Sequence, residues 1–203
     1  MKLCMNLLLN LIILMSAISC QNSRTFENPE DLVAALFTEL KEIDSYEKLS
    51  QLSKYFPNRD EMLDILNTTG EGGNIDEHEK SVDENIRRGF HNVAWRLYDK
   101  DEKLMQIRDK YQTAKTEEEL HQIQNEILSY ILPDFPKRIQ NARFVSFTRG
   151  KSAPLGNLDV KLPAYRRSAI IYEIGGDKSE FQIELMIKTK NGWKIREWEE
   201  YLR

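Results

Sequence analysis

Residues 181–198 read FQIELMIKTKNGWKIREW, and this stretch decides the fold class. Phe181, Ile183, Leu185 and Ile187 alternate with Gln182, Glu184, Met186 and Lys188, the period of two that gives a strand one buried and one wet face. Asn191-Gly192 follows and is the strongest short hairpin signal in the chain, because the tight turn it favours needs positive φ. Trp193 to Tyr201 is then the closing strand. Upstream, Arg167 to Ile174 reads as a strand that reaches Gly175-Gly176-Asp177, a second hairpin signal. Arg143 to Thr148 is a further short strand, and residues 150–163, GKSAPLGNLDVKLP, read as an irregular loop. The C-terminal third is therefore an antiparallel β-meander of about four strands.

Before Pro136 the period is helical. Asn28-Pro29-Glu30-Asp31 is a helix start, with a capping Asn, Pro at the first helical position and acids in the first turn. Leu32, Val33, Leu36, Phe37, Leu40 and Ile43 follow at helical spacing. A short helix begins after Ser45, turns Leu49, Leu52, Tyr55 and Phe56 inward, and stops at Pro57. Asn58 caps a third, with Glu61 in the capping-box position and Met62, Leu63, Ile65 and Leu66 as its apolar residues. Thr69-Gly70-Glu71-Gly72-Gly73 is a flexible break. From about residue 77 to 112, Val82, Ile86, Phe90, Val93, Leu97, Leu104, Ile107 and Tyr111 lie on one stripe, which predicts a helix roughly 50 Å long. Gly89 and the polar run 99–103 are where it can bend. Thr116-Glu117-Glu118-Glu119 is a capping box opening another helix, with Leu120, Ile123, Ile127 and Ile131 inward, so residues 77–131 form a long antiparallel helical hairpin. The expected class is α+β, with helices first and the meander last, in one domain over residues 28–203.

The first twenty residues say where the protein lives. Lys2 precedes an apolar run from Leu3 to Met15, too short for a span, and small residues lead to Cys20. Ala17-Ile18-Ser19-Cys20 resembles a lipobox; Ala17 stands where Leu is usual, as in the looser boxes of Bacteroidota lipoproteins. Residues 1–19 are thus expected to be a signal peptide and 20–27 a tether carrying lipid on Cys20, with the domain in the bacterial cell envelope, facing the periplasm. The mature chain would then hold no second cysteine, which excludes disulfides and cysteine–zinc sites. Its length suits one domain that can bury about 70% of its unfolded surface. Charge is uneven: residues 21–136 carry 14 Lys/Arg and 25 Asp/Glu, and residues 137–203 carry 14 and 8. The simplest reading is two halves of one fold whose fields attract; a basic sheet meeting an anionic ligand or polymer is the sharper one. Nucleic acid is a poor partner for such an acidic protein outside the cytoplasm.

Two segments carry a family resemblance: 28–56, NPEDLVAALFTELKEIDSYEKLSQLSKYF, and 168–198, SAIIYEIGGDKSEFQIELMIKTKNGWKIREW. With the lipobox, they resemble small bacterial lipoproteins of unknown function that carry a nuclear-transport-factor-like (cystatin-like) cone domain. The resemblance implies a curved antiparallel sheet wrapped on helices and brings no functional residues.

No nucleophile elbow, phosphate-cradling loop or metal-ligand spacing is present. Glu118 and His121 form one Glu-x-x-His pair, but di-iron bundles need two such pairs and two further glutamates, so a solvated helix face is expected. No cofactor and no metal is therefore expected. Arg166-Arg167 could grip a carboxylate or phosphate, though a charged sheet edge is the commoner reason for such a pair. Trp95 and His91 lie off the apolar stripe, which predicts an exposed or partner-facing pair. The leading expectation is a membrane-anchored, non-catalytic binding or assembly module that meets another envelope protein. A small-ligand binder with a pocket between helices and sheet is the alternative, and a carboxylate-dependent hydrolase or isomerase the remoter one.

Overall fold

The computed structural model describes residues 25–98, 100–156 and 160–198; Cys20, the signal-like segment and the last residues expected in the closing strand lie outside them. Among the described residues seven α-helices precede and cover a C-terminal antiparallel sheet, so the chain is α+β. Helix α1 (Pro29–Leu40) starts where expected: the Asn28 side chain accepts from the Asp31 N–H at 3.0 Å. Its stripe Leu32, Val33, Leu36, Phe37 and Leu40 is buried. Helix α2 (Tyr46–Ser50) is capped by Ser45 and tightens into a 3-10 turn, Gln51–Tyr55. Helix α3 (Arg59–Thr69) has the reciprocal capping box of Asn58 and Glu61 and ends at Gly70 with φ 69. Of its expected apolar residues, Ile65 is buried and Leu63 faces solvent.

The long helix expected over 77–112 is two helices. Helix α4 (His78–Leu97) stops at Tyr98, and Asp101 starts α5 (Glu102–Thr113) by accepting from the Leu104 N–H at 3.0 Å. Helix α6 (Glu117–Ile131) opens on its capping box and is followed by the one-turn α7 (Phe135–Ile139). The antiparallel hairpin is therefore α5–α6, with α4 as a separate arm. The break has a packing cause. A straight helix of roughly 50 Å would outrun the core of a domain this size, whose radius of gyration is about 16 Å. Turning at 98–101 returns Leu104 and Ile107 to the same core as Ile86, Phe90 and Val93. Two tyrosines fix the corner: the Tyr98 hydroxyl donates to the Ile131 carbonyl at 3.3 Å, and the Tyr130 hydroxyl to the Asp101 carboxylate at 3.0 Å.

The sheet runs β1 (Arg143–Thr148), β5 (Ala164–Ile174), β6 (Asp177–Thr189), β7 (Gly192–Glu197), in that spatial order and antiparallel throughout. The segment read as an irregular loop contains three two-residue strands. These are β2 (Lys151–Ser152), which pairs with β5 beyond the end of β1, and β3 (Leu155–Gly156) with β4 (Lys161–Leu162), which form a small ribbon. The expected single buried face of β6 changes phase midway. Phe181 and Ile183 join the main core and so does Met186, whereas Leu185 and Ile187 join Ile65 and Ala164 in a second cluster under α3. The switch falls where β5 and β6 miss a pair, between Ser168–Ile183 and Arg166–Leu185. The pairing of β6 with β7 shifts register at the same place, between Leu185 and Met186, and beside it on β5 Arg167 has φ 57, a left-handed backbone. At the far edge Phe26 forms a parallel bridge with Gly192, and the Trp193 N–H donates to the Phe26 carbonyl at 2.8 Å.

Candidate functional site

Helix α4 presents His78, Ser81, Asn85 and Arg88 at steps of three, four and three, which places them on one face of its first three turns. That face looks onto the end of β7, where Arg196, Glu197 and Trp198 follow one another. Met62 and Leu66 of α3 and the loop 72–75 close the remaining side. The result is a half-open, largely polar cleft of about 440 Å³.

Its walls are held by tertiary contacts. The Gly-rich loop, expected to be a flexible break, is clamped from both ends. Arg196, whose side chain is 15% exposed, ion-pairs with Glu71. Arg59 donates to the Ile75 carbonyl at 3.1 Å and to Asp76 at 2.7 Å. His78 is buried, with Nε2 2.8 Å from the Pro57 carbonyl, which fixes the start of α4 against the end of the 3-10 turn. Trp198 forms the back wall. Its ring lies flat against Gly89, where a Cβ would sit 1.9 Å from the indole, and it also meets Phe56 and Phe181 at centroid distances of 6.5 and 6.1 Å. The Trp198 Nε1 is buried and has no acceptor among the described residues. An unmet buried donor costs roughly 1–3 kcal/mol. Arg88, about half exposed, has one ion-pair contact among the described residues, a loose 3.5 Å approach to Glu84. The cleft thus offers the Arg88 guanidinium and the Asn85 amide beside the carboxylates of Glu77 and Glu197, with the Arg196 guanidinium taken up by Glu71, which suits a polar ligand whose anionic group meets Arg88.

A buried ion pair stands nearby and is fully employed in holding the fold. Glu61 accepts from the Asn58 N–H at 2.9 Å and from the Thr189 hydroxyl at 2.7 Å. Lys194 donates to the Lys54 carbonyl at 3.0 Å with its Nζ 3.9 Å from Glu61; burial pulls its pKa below the ordinary lysine value while the glutamate opposes the shift.

His91 and Trp95 stand elsewhere, and the expectation of an exposed pair is overturned for His91, which has no exposed surface. Helix α6 covers the face of α4 beside the apolar stripe, and the His91 ring bonds to the backbone of Gln124. Burial, aided by the positive charge of Arg87, lowers its pKa to about 3, so it is neutral. Trp95 is half-buried against the core with the Arg108 guanidinium 5.9 Å from its ring centroid, so the chain itself supplies part of its cover. Glu118 and His121 are both exposed. Cys20 lies outside the described residues. The residues of the cleft were missed because polar positions at three- and four-residue steps mark every solvated helix face; only their meeting with Arg196 and Trp198 distinguishes them.

Compared with known families, curated proteins and solved structures, the chain matches no family model, no curated relative and no solved structure. Among the described residues there is no group of three or more His, Cys, Asp or Glu placed to hold a metal, and no helix long and apolar enough to cross a membrane.

Proposed function

We propose that this chain is a lipid-anchored, non-catalytic binding module of the bacterial cell envelope whose ligand seat is the cleft between α4 and the end of β7. The anchoring rests on the apolar leader that ends at Ser19-Cys20. The binding reading rests on one observation: basic and amide side chains of α4 and β7 line one polar space with Trp198, whose buried Nε1 has no acceptor among the described residues. Of the groups that line it, His78 is tied to the Pro57 carbonyl and Arg196 to Glu71, which favours a rigid seat that holds a ligand. The matching ligand is a small polar molecule whose carboxylate or phosphate meets Arg88. A seat built on Trp95 and His91 has less support, because one of them is interior and the other partly covered.

The three tryptophans give three indole N–H resonances, which makes the test direct. Acetate, glycylglycine and inorganic phosphate are titrated into labelled protein. At least one should move the Trp198 resonance saturably while those of Trp95 and Trp193 stay in place. Arg88→Ala should weaken that titration by roughly tenfold, the effect of one charge-assisted hydrogen bond. If none of the three probes moves the Trp198 signal, the binding reading falls.

A further inference from the structure

Among the described residues some basic side chains of the sheet and its turns have acidic partners and others, Lys161, Lys178 and Lys188 among them, have no ion pair. Arg143 pairs with Glu173, Arg149 with Glu30, Lys190 with Asp64 and Arg196 with Glu71. Lys151 and Arg166 do not. They stand directly opposite each other on β2 and β5, exposed, and no ion pair reaches either among the described residues. Like charges facing across a strand pair are unfavourable on their own. Arg167 follows, its side chain 79% exposed, in the left-handed backbone that arginine rarely adopts, with Glu184 3.7 Å away as its one ion-pair partner among the described residues. We infer that Lys151, Arg166 and Arg167 form a docking surface for the anionic phospholipid headgroups of the bilayer that holds the anchor. This rests on the lipid-anchoring reading above.

Placement carries the argument. The chain leaves the sheet at Phe26, which is bridged to Gly192. Trp193 stacks on Tyr165 at 5.1 Å, and Tyr165 precedes Arg166 and pairs with Ser152. The root of the tether and the basic corner therefore share one end of the sheet. Four strand spacings separate them, about 20 Å. From Cys20 to Thr25 the chain can span at most about 17 Å. Lipid on Cys20 would thus hold this corner close enough to meet the headgroups. The remaining charge sets the orientation: the helical part, with 25 acidic against 14 basic residues over 21–136, is repelled by an anionic surface, and residues 137–203, with 14 basic against 8 acidic, are drawn to it.

The test uses the mature chain, residues 20–203, with Cys20→Ser, so that only the protein's own surface can bind and the outcome is independent of lipidation. Flotation is measured with neutral phosphatidylcholine vesicles and with vesicles holding about 30% phosphatidylglycerol, at low and at raised salt. The chain should float with the anionic vesicles alone and be released by salt. Lys151→Glu/Arg166→Glu/Arg167→Glu should weaken this by well over a hundredfold, given about fivefold for each basic group merely removed from a charged surface. The neutral Gln triple should show an intermediate loss, and Lys80→Glu/Lys110→Glu/Lys137→Glu on the helices should show none. Equal flotation with both vesicles, or a basic-corner triple that floats like the parent, overturns the inference. So does binding to inorganic polyphosphate beads, lost in the triple, without vesicle binding; that result would assign the corner to a soluble polyanion.

Discussion

Gly89 sits in the middle of α4, where alanine would be the better helix former by about 1 kcal/mol. Its neighbour decides otherwise, because a Cβ there would lie 1.9 Å from the Trp198 ring. Gly89→Ala is therefore expected to destabilise by roughly 1–3 kcal/mol, since relieving the overlap must displace an indole packed on Phe56 and Phe181. Urea unfolding reads this directly, and an unchanged or raised midpoint would contradict the close approach. His91 makes the second residue-scale prediction. Its folded pKa is about 3 against an ordinary 6.5. Above pH 6.5 neither state holds the proton. Below it the unfolded chain gains one that the folded chain refuses, so stability falls with falling pH by at most about 1.4 kcal/mol per unit. Between pH 6.5 and 5 the loss from this residue should be about 2 kcal/mol, and His91→Leu should remove that part of the slope. Parallel slopes for parent and variant would place the ring in contact with water.

Among the elements, the ones legible in the sequence are those whose ends carry chemistry. Asn28-Pro29, Asn58 with Glu61, and Thr116 with Glu119 mark three helix starts, because each supplies an acceptor for an otherwise unpaired N–H. Gly175-Gly176 and Asn191-Gly192 mark both hairpins, and glycine takes positive φ at 175, 176 and 192. The polar run 99–103 marked where the long helix could bend, but the apolar stripe stays in phase through it and so gave no sign of a full break; the capping role of Asp101 was the available signal. The phase change in β6 left no sign, since Leu185 and Met186 are both apolar and the register shift that falls between them lies in the pairing with β7. That division yields a third prediction. Val93→Asp places a charge in the main core, and Leu185→Asp places one in the small cluster with Ile65, Ala164 and Ile187. Each should cost several kcal/mol, about 3–5 for Val93. Leu185→Asp should cost less, because Arg166 stands opposite it in register and can pair with the new carboxylate. The two losses should add in the double variant, as the sites share no cluster. A variant that melts like the parent would place its residue outside the core.

For the molecule as a whole, the leader and Cys20 make a prediction that the fold does not. Cells fed a fatty-acid analogue should label the parent chain and leave Cys20→Ala unlabelled; equal labelling would remove the anchor and with it the envelope assignment. The class of the fold was readable from the change of period after Pro136, while the cleft was not. Its walls come from α3, the 70–77 segment, α4 and β7, which are more than a hundred residues apart at the extremes, and no local pattern records such a meeting. The Arg196–Glu71 pair shows the same thing at closer range: the glycine-rich segment is placed by a residue 125 positions away.

Phe26 gives the described chain an unusual point of departure. Its carbonyl is bonded to Trp193 at 2.8 Å and its ring stacks on Tyr55 at 5.7 Å. Tension arriving through the residues before Thr25 is therefore divided between the sheet edge and the 3-10 turn before it reaches α1. A pull on that end must shear β-sheet hydrogen bonding and strip an aromatic contact together, whereas a helix attached without such a clamp would simply uncoil turn by turn. A fold fastened in this way can be dragged by a moving surface and keep its shape.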